Sequence, residues 1–441
     1  MLKNLKFAGA TALAATLTSA APAWAQEAAG PTMDKGDVAW MLVSTLLVLF
    51  MILPGLALFY GGLVRSKNML SVLMQCTMIT AMVMVIWVVY GYSFAFGGGT
   101  GPFFGGFGKL FLAGVTPDSM AATFSDDYVI PEYVFIAFQM TFAAITPALI
   151  VGAFAERIKF SAVMLFTAMW VTVVYFPVAH MVWDANGLIF NMGALDFAGG
   201  TVVHINAGIA ALVAAIVVGP RVGLGKDMMA PHSMTLTLVG AGILWVGWFG
   251  FNAGSNLEAN GSAALAMINT FTATAGAILA WSALESVTRG KASMLGAASG
   301  LVAGLVAVTP AAGSIGPIGA IVLGALASGV CYFFVAIVKN KFGYDDSLDV
   351  FGIHGVGGII GAVGTGIFTA PGLGGMGGED YAMGAQTWIQ IQAVLITIVW
   401  CGVASVVLLY ITKAVTGLRV EKDDERRGLD LTSHGEQAYH S

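Results

Sequence analysis

The chain has 441 residues, of which 58% are hydrophobic and only 10% charged, and its mean hydropathy is +0.85. An ordinary soluble domain is about a quarter charged, so water is excluded as the main solvent. Formal net charge is −5 and the charges fall in short gaps between long apolar runs, which leaves no surface suited to nucleic acid.

In chain order, the first unit is a predicted signal peptide over 1–25. Lys3 and Lys6 precede an apolar stretch from Phe7 to about Leu17, and Ala23-Trp24-Ala25 supplies small residues for cleavage. Read as a first membrane helix, that stretch is too short to span. Cleavage after Ala25 would leave Gln26 outside the cytoplasm.

Stretches of about twenty apolar residues then predict eleven membrane helices. They fall near 37–64, 69–96, 131–155, 159–181, 198–219, 232–255, 260–285, 294–314, 317–338, 349–369 and 388–415. Many of the glycines lie inside these runs, as closely packed membrane helices require. Lys and Arg concentrate in cytoplasmic loops, and here they alternate with the spans. Arg65 and Lys67, Arg157 and Lys159, Arg221 and Lys226, Arg289 and Lys291, and Lys339 and Lys341 mark five inside loops, while Lys413, Arg419, Lys422, Arg426 and Arg427 put the C-terminus inside. Only Lys35 and Lys109 remain outside.

Split five and five, the first ten spans enter from opposite sides, the pattern of an inverted-topology repeat. Asp196-Phe197-Ala198-Gly199 opens the fifth span and leads to His204. Asp349-Val350-Phe351-Gly352 opens the tenth and leads to His354. An approximate two-fold axis in the membrane plane would bring both histidines to the centre. Either histidine alone reads as a satisfied packing residue. As a pair at matching positions they read as lining for a small polar solute, since ionisable groups within a membrane are functional by default.

Phe142, Trp183, Phe251 and Ser255 form a second candidate cluster, in which aromatic faces and a hydroxyl suit a small cation. Composition alone reads the same residues as an interfacial aromatic and core packing. Asp196 and Asp349 sit where helix-capping carboxylates belong, and Asp196 could also favour an incoming cation. Glu156, beside Arg157, belongs to an inside edge. Cys76, Cys331 and Cys401 lie in apolar runs without a disulfide or zinc spacing. No carboxylate cluster, phosphate loop or nucleophile triad stands out, so neither enzyme chemistry, a metal nor a cofactor is expected.

At these residues the chain closely resembles the ammonium transporter family that includes the Rhesus proteins, in its bacterial branch. The resemblance runs through Leu53-Pro54-Gly55-Leu56-Ala57-Leu58-Phe59-Tyr60-Gly61-Gly62, Gly152-Ala153-Phe154-Ala155-Glu156-Arg157 and the segment from Asp196 to Asn206. It continues in Gly247-Trp248-Phe249-Gly250-Phe251-Asn252-Ala253-Gly254-Ser255 and from Asp349 to Gly358, covering nearly all of the chain after Ala25. It implies an eleven-helix all-α protomer in a homotrimer with a pore in each subunit, in the inner membrane of a bacterium. It implies that Phe142, Trp183 and Ser255 recruit NH₄⁺, that Phe142 and Phe251 stack as a gate, and that His204 and His354 line the pore. Asp196 would support the vestibule, with Trp248 beside the pore. The loop from Asp184 to Ala194 departs from the family pattern, so no vestibule contact is carried over there.

A mechanism follows as an expectation: ammonium or methylammonium is recruited, a proton is lost near the gate, and NH₃ passes the histidines, which would exclude K⁺. The rivals are a neutral-solute channel for water or CO₂ and a membrane sensor of ammonium. The 417–441 segment, with Glu421-Lys422-Asp423-Asp424-Glu425-Arg426-Arg427, reads on its own as a solvated, partly disordered tail. Its ending resembles the family's bacterial tail, which implies docking of a PII-type nitrogen-regulatory protein on the cytoplasmic face.

Overall fold

The computed structural model describes residues 30–439; the expected signal peptide and His440 lie outside the described residues. Within hydrocarbon every backbone N–H and C=O must be bonded inside its own element, so long apolar runs resolve as helices. Among the described residues, ten are long and apolar enough to cross a membrane: α1 (Lys35–Leu63), α2 (Ser66–Phe96), α3 (Glu132–Phe154), α4 (Phe160–Asn191), α5 (Gly200–Val218), α6 (Met234–Asn256), α7 (Gly261–Arg289), α9 (Pro317–Phe342), α10 (Phe351–Phe368) and α11 (Met383–Thr416). Between α7 and α9 lies α8 (Met294–Val308), a shorter apolar helix. The expected eighth span over 294–314 thus ends early, and turns through Ala311 and Ser314 complete it.

Counterparts in the two sets of five meet: α1 packs on α6, and α5 on α10, while α11 lies against α4, α5 and α10. At the crossing of α5 and α10 a Cβ on Gly208 would sit 2.2 Å from the Gly355 Cα. Only glycine permits that approach of backbones.

Long helices break where their function or packing needs it. α1 leaves helical dihedrals at Leu53, ahead of Pro54. α4 is interrupted after Trp183 by extended Asp184, so the expected span 159–181 has a further turn, Leu188–Asn191, beyond the break. Outside the helices, β1 (Thr32–Met33), β2 (Met120–Ala122) and β3 (Tyr128–Pro131) form a small sheet in the order β1-β3-β2, an addition to the expected all-α fold.

The loops between α1 and α2, α3 and α4, α5 and α6, and α9 and α10 meet the tail on one face. There Glu156, 1% exposed, accepts from Arg65 N at 2.7 Å and Arg65 Nε at 2.8 Å, and Arg221 Nη1 lies 3.5 Å away. Burial pushes the Glu156 carboxyl up, yet Arg65 and Arg221 outweigh it and hold it below the usual range. Arg221 also donates to Asp345 at 2.8 Å. Arg157 is spent on carbonyl oxygens, including those of Gly219 at 2.7 Å and Asp345 at 2.6 Å.

The tail is not the solvated segment its charges suggest. It forms α12 (Lys422–Arg427) and α13 (Leu429–His434). Glu425 is 1% exposed and accepts from Val222 N and from Arg419 Nη2, both at 2.6 Å. Asp430 accepts from Ser71 N at 2.8 Å, and the Tyr439 hydroxyl lies 2.9 Å from His232 Nε2.

Candidate functional site

On the face opposite the tail lies a vestibule of about 510 Å³, lined by Phe138, Gln139, Trp183, Asp196 and Ser255 among others. The interruption of α4 places Trp183 here, its indole Nε1 donating to the Asp196 carbonyl at 3.0 Å. The Asp184–Ala194 loop forms part of the wall through Asp184, Phe190 and Ala194. His180 is fully buried beneath the rim. Its ring nitrogens lie 2.8 Å from the Ala95 carbonyl oxygen and 2.7 Å from that of Gly101, tying the α2–α3 connection to α4.

Phe142 is buried beneath Trp183, with ring centroids 5.8 Å apart and planes at 83°. It stacks on Phe251 at 4.1 Å and 22°, so the two rings close the floor. Ser255 Oγ donates to the Phe251 carbonyl at 2.8 Å, which leaves its lone pairs for an incoming donor.

Below the rings is a lumen with about 10 Å³ of room, lined by Phe59, Leu149, His204, Trp248, Val302 and His354 among others. That is about one water-sized sphere between apolar walls. His204 Nδ1 and His354 Nδ1 lie 3.2 Å apart. The His204 ring stacks with Phe251 at 5.9 Å and Trp248 at 5.4 Å, and the Trp248 indole is held by Thr309 Oγ1 at 3.0 Å. His204 Nε2 is buried and has no partner among the described residues. With both rings neutral, one Nδ1 donates and the other accepts, so one Nε2 is left an acceptor and the other a donor.

Each histidine rides on a wide helical turn, Gly200–Ile205 in α5 and Phe351–Gly355 at the start of α10. In the first, His204 N reaches back five residues to the Gly199 carbonyl at 3.1 Å. Such turns concentrate at functional sites. Asp196 caps the α5 turn as expected, accepting from Gly199, Gly200, Thr201 and Val202 N–H groups at 2.9, 2.5, 2.9 and 3.2 Å.

The expected cap on the other side is corrected. Asp349 has φ +62° and pairs with Lys339, whereas Asp346 accepts from Val350 N at 3.1 Å and Phe351 N at 2.7 Å. The missed signal was spacing, because Asp196 precedes His204 and Asp346 precedes His354 by the same interval. The short likeness of Asp349-Val350-Phe351-Gly352 to Asp196-Phe197-Ala198-Gly199 points instead to Asp349, which does not cap.

The helices and their enclosed lumen define a multi-span α-helical membrane protein. Within that class, the sequence matches the Ammonium Transporter Family over residues 39–439, and the chain belongs to that family. It is 51% identical over 419 residues to an ammonium transporter of Aquifex aeolicus, covering 95% of this chain and 96% of that one. An ammonium transporter of Bacillus subtilis is 46% identical, with 92% and 99% covered. Among solved structures, Saccharomyces cerevisiae Mep2 aligns with a TM-score of 0.78 at 33% identity, covering 88% of this chain and 91% of that one. A protein described as a sensor Amt protein aligns at 0.83 and 28% identity, with 90% and 98% covered. The family is one of transporters, not enzymes.

Proposed function

We propose that the chain carries ammonium in two forms. The cation gathers in the vestibule against Phe142, Trp183 and Ser255, loses a proton near the Phe142–Phe251 gate, and continues as ammonia past His204 and His354. The observation that carries this reading is the stacked ring pair standing between a vestibule of about 510 Å³ and a lumen of about 10 Å³.

A desolvated aromatic face holds a cation by about 2 kcal/mol, enough to concentrate ammonium at the mouth. Beyond the gate the balance reverses, because moving an isolated charge from water into an apolar space costs several kcal/mol at least. Ammonia escapes that cost. It can donate to the free acceptor nitrogen of one imidazole and accept from the free N–H of the other. K⁺ has no proton to leave behind, so the same barrier rejects it.

The alternation of basic loops supports a vestibule outside the cytoplasm and a tail within it, in the inner membrane of a bacterium. On the same reading, methylammonium is a second substrate, the protein works as a homotrimer, and the tail face receives a PII-type regulatory protein. Exposed Leu46, Leu279 and Ile318 suit lipid or subunit contacts.

The test is conduction by purified protein in proteoliposomes. His204→Ala and His354→Ala should each lower ammonium flux, or its selectivity over K⁺, by about tenfold or more, equivalent to ~1.4 kcal/mol in the barrier. Native flux and native selectivity in both variants would sink the role given to the histidines.

A further inference from the structure

One polar side chain in the vestibule wall has no task in the reading above. Gln139 stands on α3 one turn before Phe142, is only 9% exposed, and lines the vestibule with Trp183 and Ser255. Its Oε1 is buried without a hydrogen-bond partner among the described residues. An unmet acceptor of this kind costs about 1–3 kcal/mol, so a wall that keeps one calls for a partner that arrives from outside.

The other oxygens nearby define what that partner is. The Asp196 carboxylate is spent on four N–H groups of the α5 turn and on the Thr201 hydroxyl, so it has little left for a ligand. Ser255 has used its proton on Phe251 and offers only lone pairs. Beside Gln139 and Ser255 the acceptors are therefore neutral; the other wall carboxylate, Asp184, takes Asn186 N and Nδ2 on its Oδ1 at 2.8 and 3.2 Å. Neutral oxygens bind a small cation through its own N–H groups and release it readily; a naked carboxylate would hold any cation, inorganic ones included. An amide also turns about its last bond without changing shape, so an arriving cation orders it oxygen first.

We propose that Gln139 is the second oxygen acceptor for the recruited ammonium ion, acting with Ser255 while the aromatic faces hold the remainder. The proposal rests on the ammonium reading of the vestibule and adds a residue that sets its affinity.

The experiment is the concentration dependence of ammonium uptake by the full chain in proteoliposomes, for the native protein and for Gln139→Leu, Gln139→Met and Gln139→Glu. Removing the acceptor in the Leu and Met variants should raise the half-saturating concentration about tenfold, as loss of a hydrogen bond to a charged group implies, with maximal flux within about twofold. Glu restores an oxygen at the same reach and should return half-saturation to the native value or below. Met preserves the unbranched shape of Gln and carries the test if Leu does not fold. Native half-saturation in either folded variant lacking the acceptor, or a shift in Glu as large as in Met, overturns the proposal. Absence of ammonium uptake by the native protein would instead overturn the transport reading itself.

Discussion

The two helices that carry the histidines share one device and differ in what that device is tied to. In α5 and α10 alike, a carboxylate caps a wide turn and a histidine follows, and the two backbones touch at Gly208 and Gly355. The Asp196 end is joined to the vestibule, since its carbonyl takes the Trp183 indole N–H. The Asp346 end is joined to charges, with Lys339 and Asp349 beside it. The shared part fixes where the rings meet. The unshared part sets what each turn is anchored to: an aromatic wall on one side, ion pairs on the other.

The crossing itself is where the comparison breaks most completely. A side chain on Gly208 runs into backbone, which has no rotamer to yield. Gly208→Leu should therefore give no monodisperse protein on size exclusion in detergent. Gly208→Ala should lower stability by about 1–3 kcal/mol, as overpacking does, read as a fall in Tm. Gly402→Ala is the control, because its Cβ would meet only Ile209 Cγ2 at 3.6 Å. Equal Tm for native protein and Gly208→Ala would mean that the crossing is looser than its geometry indicates.

The two caps separate next, by pH. Burial pushes the Asp346 carboxyl up to about 6, with the Asp349 charge adding and Lys339 opposing. A folded value above the unfolded one means that the folded chain holds the proton more tightly. The stability this supplies is complete below about pH 4 and is lost as pH rises through about 6. Asp346→Asn removes the titration and leaves an oxygen for the cap. Between pH 4 and 7 the Tm of the native protein should fall relative to that of the variant. Parallel curves would show that Asp346 does not titrate in this window.

Much of this was legible in the sequence, for a physical reason. Hydrocarbon forces helix on any long apolar run, so the spans, their alternation and the two intramembrane histidines could be read without a partner in view. Phe142, Trp183, Phe251 and Ser255 were candidates on their chemistry, which fitted core packing as well, and the resemblance weighed for the cation site. Partnership was what the sequence hid. Asp346 and Asp349 are equally plausible caps until the backbone at Asp349 turns left-handed and its carboxylate goes to Lys339. Gln139 reads as one polar residue in a helix, and only the absence of a partner for its buried oxygen sets it apart. The early end of α8 was marked by Pro310 and the Gly313-Ser314 pair, turn residues that a search for long apolar runs passes over.

The tail gives the smallest expected effect and the sharpest contrast with the pore. A run rich in charge reads as solvated, but one member, Glu425, turns inward and accepts from Val222 N and Arg419 Nη2 at 2.6 Å each, while Leu429 is fully buried beside it. Glu425→Gln keeps the shape and removes the charge that makes both bonds strong. The loss should be about 1–2 kcal/mol and confined to 417–439, because the transmembrane helices do not depend on it. Limited proteolysis should then cut the tail several-fold faster than in native protein, with Tm of the helical bundle unchanged. Tyr439→Phe, which removes only the bond to His232, should speed cleavage less. If both variants are cut at the native rate, the tail is held by the apolar contact of Leu429 and by backbone bonds such as Leu429 N to Asn68 Oδ1 at 2.8 Å, and its charges serve the solvent face.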